Sequence, residues 1–458
     1  MNTWGGRLPA PGDWVAVSAG NTVVYNDHSE NVYGEIDVEG TLRFSRNVNT
    51  RLKVGDNIFV LDGGNLDMGT SNDYIPANVT AEIIFQLTQA QAGAFIGGPG
   101  FEPSDKGLWV FAGGRWDTHG APLVRTWSKL VQDSAPGSNV IVVENDVTDW
   151  YVGGDIILSQ TTNPAHYYVR AFDGREFYST QVENEVAVIK SLRTVLNGNT
   201  EITLEQPTKY LHEGTAPFQG EAGLLTRNVK ISTEIIGRSE ADYLADRGTR
   251  QFAHTIYNQD ASGDLLYAEF KRMGNYITLA RYSIHTHRMG ESSRGMVIRG
   301  NSVWQTGNRW VNIHSSSGIL IEDTVGFDSI GSGYFLEVDL IRTSPTGSNV
   351  FEAFGKNVDT VFTHNLGVQS TSKKFEDRSV GVAEFWRHTT FWIAAHDGGV
   401  ALLGNVAAGT LDGGDSSGYL FPEVTWFTDT TGLTQGIPLT FVKNEAHSGQ
   451  EKGLFGWW

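Results

Sequence analysis

Two apolar segments of this chain return after nearly the same interval. Val297-Ile298-Arg299-Gly300-Asn301 recurs as Ile319-Leu320-Ile321-Glu322-Asp323 after 22 residues, and Asn312-Ile313-His314 falls under Phe335-Leu336-Glu337 after 23. Self-similarity at about 20–50 residues marks a stacked repeat, because one coil of strand buries its inward side chains only by lying on the next. The N-terminal text has the same character: WVAVSAGNTVVY, YGEIDVEGTLRF and TRLKVGDNIFVLDGGNLDMG are short apolar strands closed by Gly, Asn and Asp. Residues 105–235 continue it with Gly107-Leu108-Trp109-Val110-Phe111, Val140-Ile141-Val142-Val143 and Asp155-Ile156-Ile157-Leu158. Helix signals are scarce while Gly and β-branched residues abound, so the chain reads as all-β, a right-handed parallel β-helix. The polar stretch Glu234 to Thr249, a short helix or equally a surface loop, is the one interruption and divides residues 1–235 from 236–458.

The formal charge of −18 disfavours nucleic acid and anionic membranes as general partners, since both want a basic footprint. No window approaches the roughly 18 apolar residues of a membrane span. With no cysteine there is neither a disulfide nor a thiolate metal site, and compartment cannot be read from thiol usage. Met1-Asn2-Thr3-Trp4 enters a strand pattern at once, as expected of a secreted or cell-surface chain whose leader has been removed.

Against this acidic background the stretch from Phe270 to His314 carries Lys271, Arg272, Arg281, Arg288, Arg294, Arg299 and Arg309 against Glu291 alone, a local charge of +6. A basic trough there would bind a polyanion, because salt screens the distant negative charge beyond about 8 Å. The same stretch holds His285, His287 and His314. Residues i and i+2 of a strand project from one face, so His285 and His287 point together, and stacking brings His314 one coil later and Glu337 a further coil on. Three imidazoles and a carboxylate meet the ligand inventory of one divalent metal ion at His285, His287 and His314, with Glu337 as a fourth donor, or they form a metal-free acid and base set. Glu337 and Asp339, also at i and i+2, place two carboxyl groups at the order of separation, about 5–9.5 Å, that hydrolysis by an acid and a base uses. Elimination beside a carboxylate instead needs a base, His287 or His314, and a cation for the carboxylate, Arg281 or Arg309. Lys271, Arg272, Arg288, His254 and Trp310 are the expected substrate-binding residues. Trp304, Trp310, Trp386, Trp392 and Trp426 offer flat faces for pyranose rings, while each taken alone reads first as core.

Trp4, the PGDWVAVSAGNTVV run, Ile36 to Phe44, Gly63-Gly64-Asn65-Leu66, Trp150 with Gly153-Gly154-Asp155-Ile156, His212 and Leu225 to Val229 resemble the G8 domain, named for its glycines. Arg281-Tyr282-Ser283-Ile284-His285-Thr286-His287 is similar to the motif RYPIHFH, Asn308 to His314 to NRCVTIHG, Ile319 to Asp328 to GVLVEDNVAYD, and Phe335 to Asp339 to FFLEDG. Phe391-Trp392-Ile393 and Gly404 to Gly409 resemble FWITNP and GNVAAG. These motifs belong to the family in which a G8 domain precedes a parallel β-helix, typified by the cell-migration-inducing hyaluronan-binding protein and its transmembrane relative; a secreted member of bacterial type is expected. Ser283, Thr286, Ser315 and Val338 depart from the family pattern and bear on the shape of the cleft. The family's Gly-Gly-His near His254 adds that residue to the site.

The resemblance implies an extracellular depolymerase of an acidic, glycosaminoglycan-like polysaccharide, acting by endo-hydrolysis of a hyaluronan-like chain. Two alternatives stand beside it: a lyase on uronic-acid chains, and a carbohydrate-binding module without turnover, since fold does not guarantee activity. His212, His364 and His396 read as hydrogen-bonded spacers, Asn301, Asp323 and Asn405 as turn ladders, and Asp412-Gly413-Gly414-Asp415 as a solvated loop short of calcium's 6–8 oxygens.

Overall fold

Each coil of the chain lays one short strand into each of three parallel sheets of 11, 10 and 10 strands. The structure, a computed structural model, describes residues 8–162, 182–217, 219–245, 250–276, 278–337, 339–342, 351–354, 357–371, 389–393, 398–410, 416–422, 427–428, 434–435, 439–449 and 452–457. Trp4, Val338, Trp386, His396, Trp426 and the loop Asp412-Gly413-Gly414-Asp415 lie outside them. The parallel β-helix is what the repeats require. In the first sheet Val17, Val38, Val60, Val110, Tyr257, Thr286, Ile313, Leu336 and Ile393 stand in lateral register, all buried. Each fully buried aliphatic of such a column contributes about 1.5–3 kcal/mol, and only because the next coil covers it.

The repeat interval needs one correction. Val297 pairs with Leu320, Ile298 with Ile321 and Arg299 with Glu322, a step of 23 residues like that linking Asn312 to Phe335. At the turns, Asn365 donates its backbone and side-chain N–H to Asn405 Oδ1 at 3.0 and 2.9 Å, and Asn405 does the same to Asn444 at 3.0 and 2.9 Å. This ladder satisfies buried turn amides coil by coil. Asn301 performs the same task singly, accepting from Ala268 N at 2.9 Å, whereas Asp323 leaves the ladder and pairs with the His364 ring.

Residues 105–235 are not all helical coil. Gly107–Val110, Arg115–His119 and Val229–Ile235 form one coil, and between the last two the chain leaves to build a six-stranded antiparallel sheet within residues 127–224, with its own core of Ile141, Val143, Trp150, Ile156, Leu158, Ile202 and Leu224. Alternating apolar strands look alike in parallel and antiparallel sheets, so sequence periodicity does not separate them. Asn228 ties the two ends of this excursion: its Oδ1 accepts from Ala121 N at 2.9 Å while its Nδ2 donates to the carbonyls of Ile75, Pro76 and Val79 at 2.9–3.0 Å. The helix Glu240–Ala245 follows, and the 235/236 boundary falls between consecutive coils of one continuous stack.

The antiparallel sheet docks on the third sheet through Trp127 and Ile157, joined by Leu225 just beyond its last strand, against Trp304, Val325, Phe327, Leu366 and Val368. Nearby, buried Glu221 accepts from His447 Nε2 at 3.0 Å and from Ser159 Oγ at 2.7 Å, and Lys129 pairs with Glu445. Burial pushes the Glu221 carboxyl up, but His447, Ser159 and Lys129 together hold it below its usual 4.5. Burial pushes the His447 imidazole down, and Glu221 overrides this, raising it above 6.5. A lowered carboxyl stabilises above its ordinary value and loses that contribution as pH falls through the folded pKa; a raised imidazole stabilises below its ordinary value and loses it as pH rises through the folded pKa. The pair therefore contributes most between about 4.5 and 6.5. Calorimetric melting should fall between pH 6 and pH 8, and His447→Gln should flatten that fall.

Candidate functional site

Three consecutive strands of the first sheet, Ile284–Gly290, Val311–Ser316 and Tyr334–Glu337, build the site. Ile284, Val311, Ile313, Tyr334 and Leu336 join the core, so strand alternation turns His285, His287, Asn312, His314, Phe335 and Glu337 outward. His285 pairs with Asn312, His287 with His314, and His314 with Glu337. The ring centroids of His285 and His287 are 5.3 Å apart, those of His287 and His314 5.0 Å, and those of His285 and His314 6.0 Å with the rings parallel within 4°. All three are buried.

His285 Nδ1 lies 3.0 Å from Ala280 O. A carbonyl only accepts, so Nδ1 carries the proton and Nε2 the lone pair; Nε2 is buried without a hydrogen-bond partner among the described residues. Burial, reinforced by His287 and His314, pushes its pKa well below the usual 6.5 and keeps the ring neutral. Glu337 Oε2 accepts from Arg309 Nη1 at 2.8 Å and Asn312 Nδ2 at 3.1 Å. Burial pushes this carboxyl up, but Arg309, His314 and the Asn312 amide hold it below its usual 4.5, so Glu337 is ionised at neutral pH. Arg309 is fixed in turn, donating to Asn312 Oδ1 at 2.6 Å with its guanidinium 3.6 Å from the Phe335 ring centroid and 4.6 Å from that of Tyr282. Asn357 Nδ2 donates to Glu337 O at 2.7 Å and closes the strand end.

Other expected members are elsewhere. Glu337 closes the strand Tyr334–Glu337 and Asp339 begins the antiparallel hairpin Asp339–Arg342 with Phe351–Phe354; the Asp339 side chain is outside the described residues. Arg281 is wholly buried and ion-paired with Asp105 at 2.5 Å, with its guanidinium over the Trp109 ring rather than free to meet a substrate. His254 is buried too, its Nδ1 bonded to Lys106 O at 3.0 Å and its ring against Trp109. Trp310 is wholly interior, edge-on to Tyr334, and Trp304 and Trp392 are buried as well, so none of the three presents a face to a sugar. Lys271 ends the strand Ala268–Lys271 of the third sheet, Arg272 follows it, and both pair with Glu240. Arg294 pairs with Glu291 and Asp359, and Arg299 with Glu322. The basic trough is therefore not formed: the register spreads its cations over different faces, where Lys271, Arg272, Arg281, Arg294, Arg299 and Arg309 meet acids on other coils or loops. Arg288, beside His287, is exposed. Among the described residues no group of three His, Asp or Glu side chains is disposed to hold a metal ion. His212 and His364 are hydrogen-bonded spacers, to Ser159 and Glu185 and to Asp323.

Sequence reasoning missed Asn312, Tyr282, Phe335 and Asp105. Asn312 stands two residues before His314, so strand alternation alone places it on the same face; Asp105, 176 residues from its partner, gives no such signal.

The G8 domain model matches residues 3–131 and the CEMIP beta-helix model residues 251–454. Fibrocystin-L of Mus musculus is 25% identical, covering 100% of this chain and 10% of its own length, and the cell surface hyaluronidase CEMIP2 of Homo sapiens is 25% identical over 68% of this chain and 22% of its own length. Both are mammalian, so neither supports the bacterial type expected. The chain spans 8–34% of the curated relatives it matches. Among solved structures, the Dettilon tailspike protein gp208 aligns with 93% of this chain and 64% of its own at 8% identity and a TM-score of 0.27, too low to carry weight. No helix among the described residues is long and apolar enough to cross a membrane. The two matched models, lying on one continuous stack of coils, place this chain in the family that joins a G8 domain to a parallel β-helix.

Proposed function

We propose that this chain cleaves a polysaccharide on the outward face of its first sheet, by endo-hydrolysis of an acidic, hyaluronan-like glycan, as part of a secreted or cell-surface protein. The observation that carries the reading is the lateral register of His287, His314 and Glu337 on three successive coils, with Glu337 held ionised by Arg309 and Asn312. Glu337 is suited to take the proton of an attacking water. His287 stands two strand spacings from it, about 9.6 Å, near the roughly 6.5–9.5 Å between base and acid in inverting glycosidases, and is suited to protonate the departing oxygen. His314 between them stabilises the carboxylate, and the lone pair on His285 Nε2 accepts a substrate hydroxyl. The choice of an acidic glycan is supported by exposed Arg288 and by the relative named as a cell surface hyaluronidase.

The test is incubation with hyaluronan, chondroitin and a neutral glucan while following chain length and the absorbance of unsaturated uronate. Shortening without absorbance is expected; shortening with absorbance makes the protein a lyase, and binding without shortening makes it a carbohydrate-binding module. His287→Ala should abolish turnover and leave the melting transition in place, and retained activity would remove the histidines from the mechanism. In chelator, unchanged activity leaves the side chains as sole agents, and loss puts a divalent ion at His285, His287 and His314.

A further inference from the structure

We infer that the loop Ala94 to Lys106, from the N-terminal part of the chain, positions His285 by holding the Ala280 carbonyl against its Nδ1. Asp105 and Arg281 are both fully buried, with Arg281 Nε 2.5 Å from Asp105 Oδ2. The carboxylate also accepts from Ile96 N at 2.6 Å and Gly97 N at 2.8 Å, so it gathers the loop around itself. The guanidinium donates to Gly98 O at 3.1 Å and Gly100 O at 2.9 Å, and Gly98 N donates to Leu279 O at 3.1 Å. Ala280 is thus bonded to the loop through the residue on either side of it.

Ala280 needs that grip. Its φ is +63°, in the left-handed region that a residue with a Cβ seldom occupies and that persists only where the surroundings over-determine it. In this conformation its carbonyl reaches His285 Nδ1 at 3.0 Å, which fixes the tautomer and leaves Nε2 as the lone pair on the histidine face. Released, Ala280 would relax to negative φ, its carbonyl would turn, and the ring would exchange between tautomers. The loop also fits only as built: Gly97 has φ +73°, and a Cβ there would lie 2.6 Å from Leu279 O. A buried ion pair is weak evidence for stability, since apolar residues of like volume often serve as well; its use here is to place an atom. Asp105 and Arg281 are therefore positioning residues.

The inference rests on the histidine face being the reacting one, but its first readout needs no substrate. In full-length protein with 15N-labelled histidine, His285 should show one dominant tautomer protonated at Nδ1. Asp105→Asn should convert this to a mixture and lower kcat about tenfold or more with KM within about twofold, and Asp105→Glu should recover most of both. If Asp105→Asn fails to fold, Gly97→Ala, which pushes the loop off Leu279 and keeps the ion pair, should give the same mixture. An unchanged tautomer in either folded variant overturns the inference. A tautomer shift in a protein inactive on every glycan upholds the positioning and sinks the catalytic reading instead.

Discussion

Glu337→Gln is expected to lower turnover by about 10²–10⁴-fold, the usual contribution of a general base. The amide keeps the shape of the side chain and can still accept one hydrogen bond, but it cannot take a proton from water. The substitution also removes the counter-charge of Arg309, a buried guanidinium, and breaking a buried pair by deleting one partner costs about 3–5 kcal/mol. Loss of rate and loss of fold must therefore be separated. The double variant Glu337→Gln with Arg309→Met removes both charges and keeps apolar contact with Phe335 and Tyr282, so denaturant melts should return toward the parent while turnover stays low. If the double variant regains turnover together with stability, Glu337 supports the fold and is not the base.

Trp310→Ala should destabilise the protein by about 3–5 kcal/mol, the cost of truncating a large aromatic in a core that cannot collapse around the gap. The recess is built for this one side chain. A Cβ added at Gly326 or Gly333 would collide with the indole, and one at Gly367 would come within 3.0 Å of it. Those three positions have no side chains with which to fill a cavity. Trp310 O also accepts from Ile284 N at 3.0 Å, so a shift there would move the strand that carries His285 and His287. Urea melts measure the effect directly. A tryptophan that stacked on sugar would instead lose affinity for glycan with its stability intact, and that result would return Trp310 to the binding surface.

The stacking of coils and the clustering of His285, His287, His314 and Glu337 were legible because both rest on two local rules, alternation along a strand and a constant interval between coils. The same rules failed where a partner came from far away in sequence. The cations of residues 270–314 look like one patch in the text, but alternation and the corners of the coil send them to different faces, where acids from other coils and loops meet them. Trp310 reads as a sugar platform because its type is ambiguous, and only the ring of glycines around it, drawn from two further coils, shows that it is core. The antiparallel sheet was hidden for a third reason: Val140–Val143 and Thr200–Leu204 have the composition of helix coils, and strand direction leaves no trace in side-chain pattern.

Asn228 gives the architecture a tolerance that the coils alone would not have. By clasping Ala121 on one side and the 75–79 turn on the other, it lets a coil close before and after more than a hundred residues of unrelated topology, as a ring binder closes over whatever is filed in it. The clasp carries the pitch of the stack across that interruption, while the intervening sheet is held separately, by its apolar seat on Trp304, Val325 and Leu366.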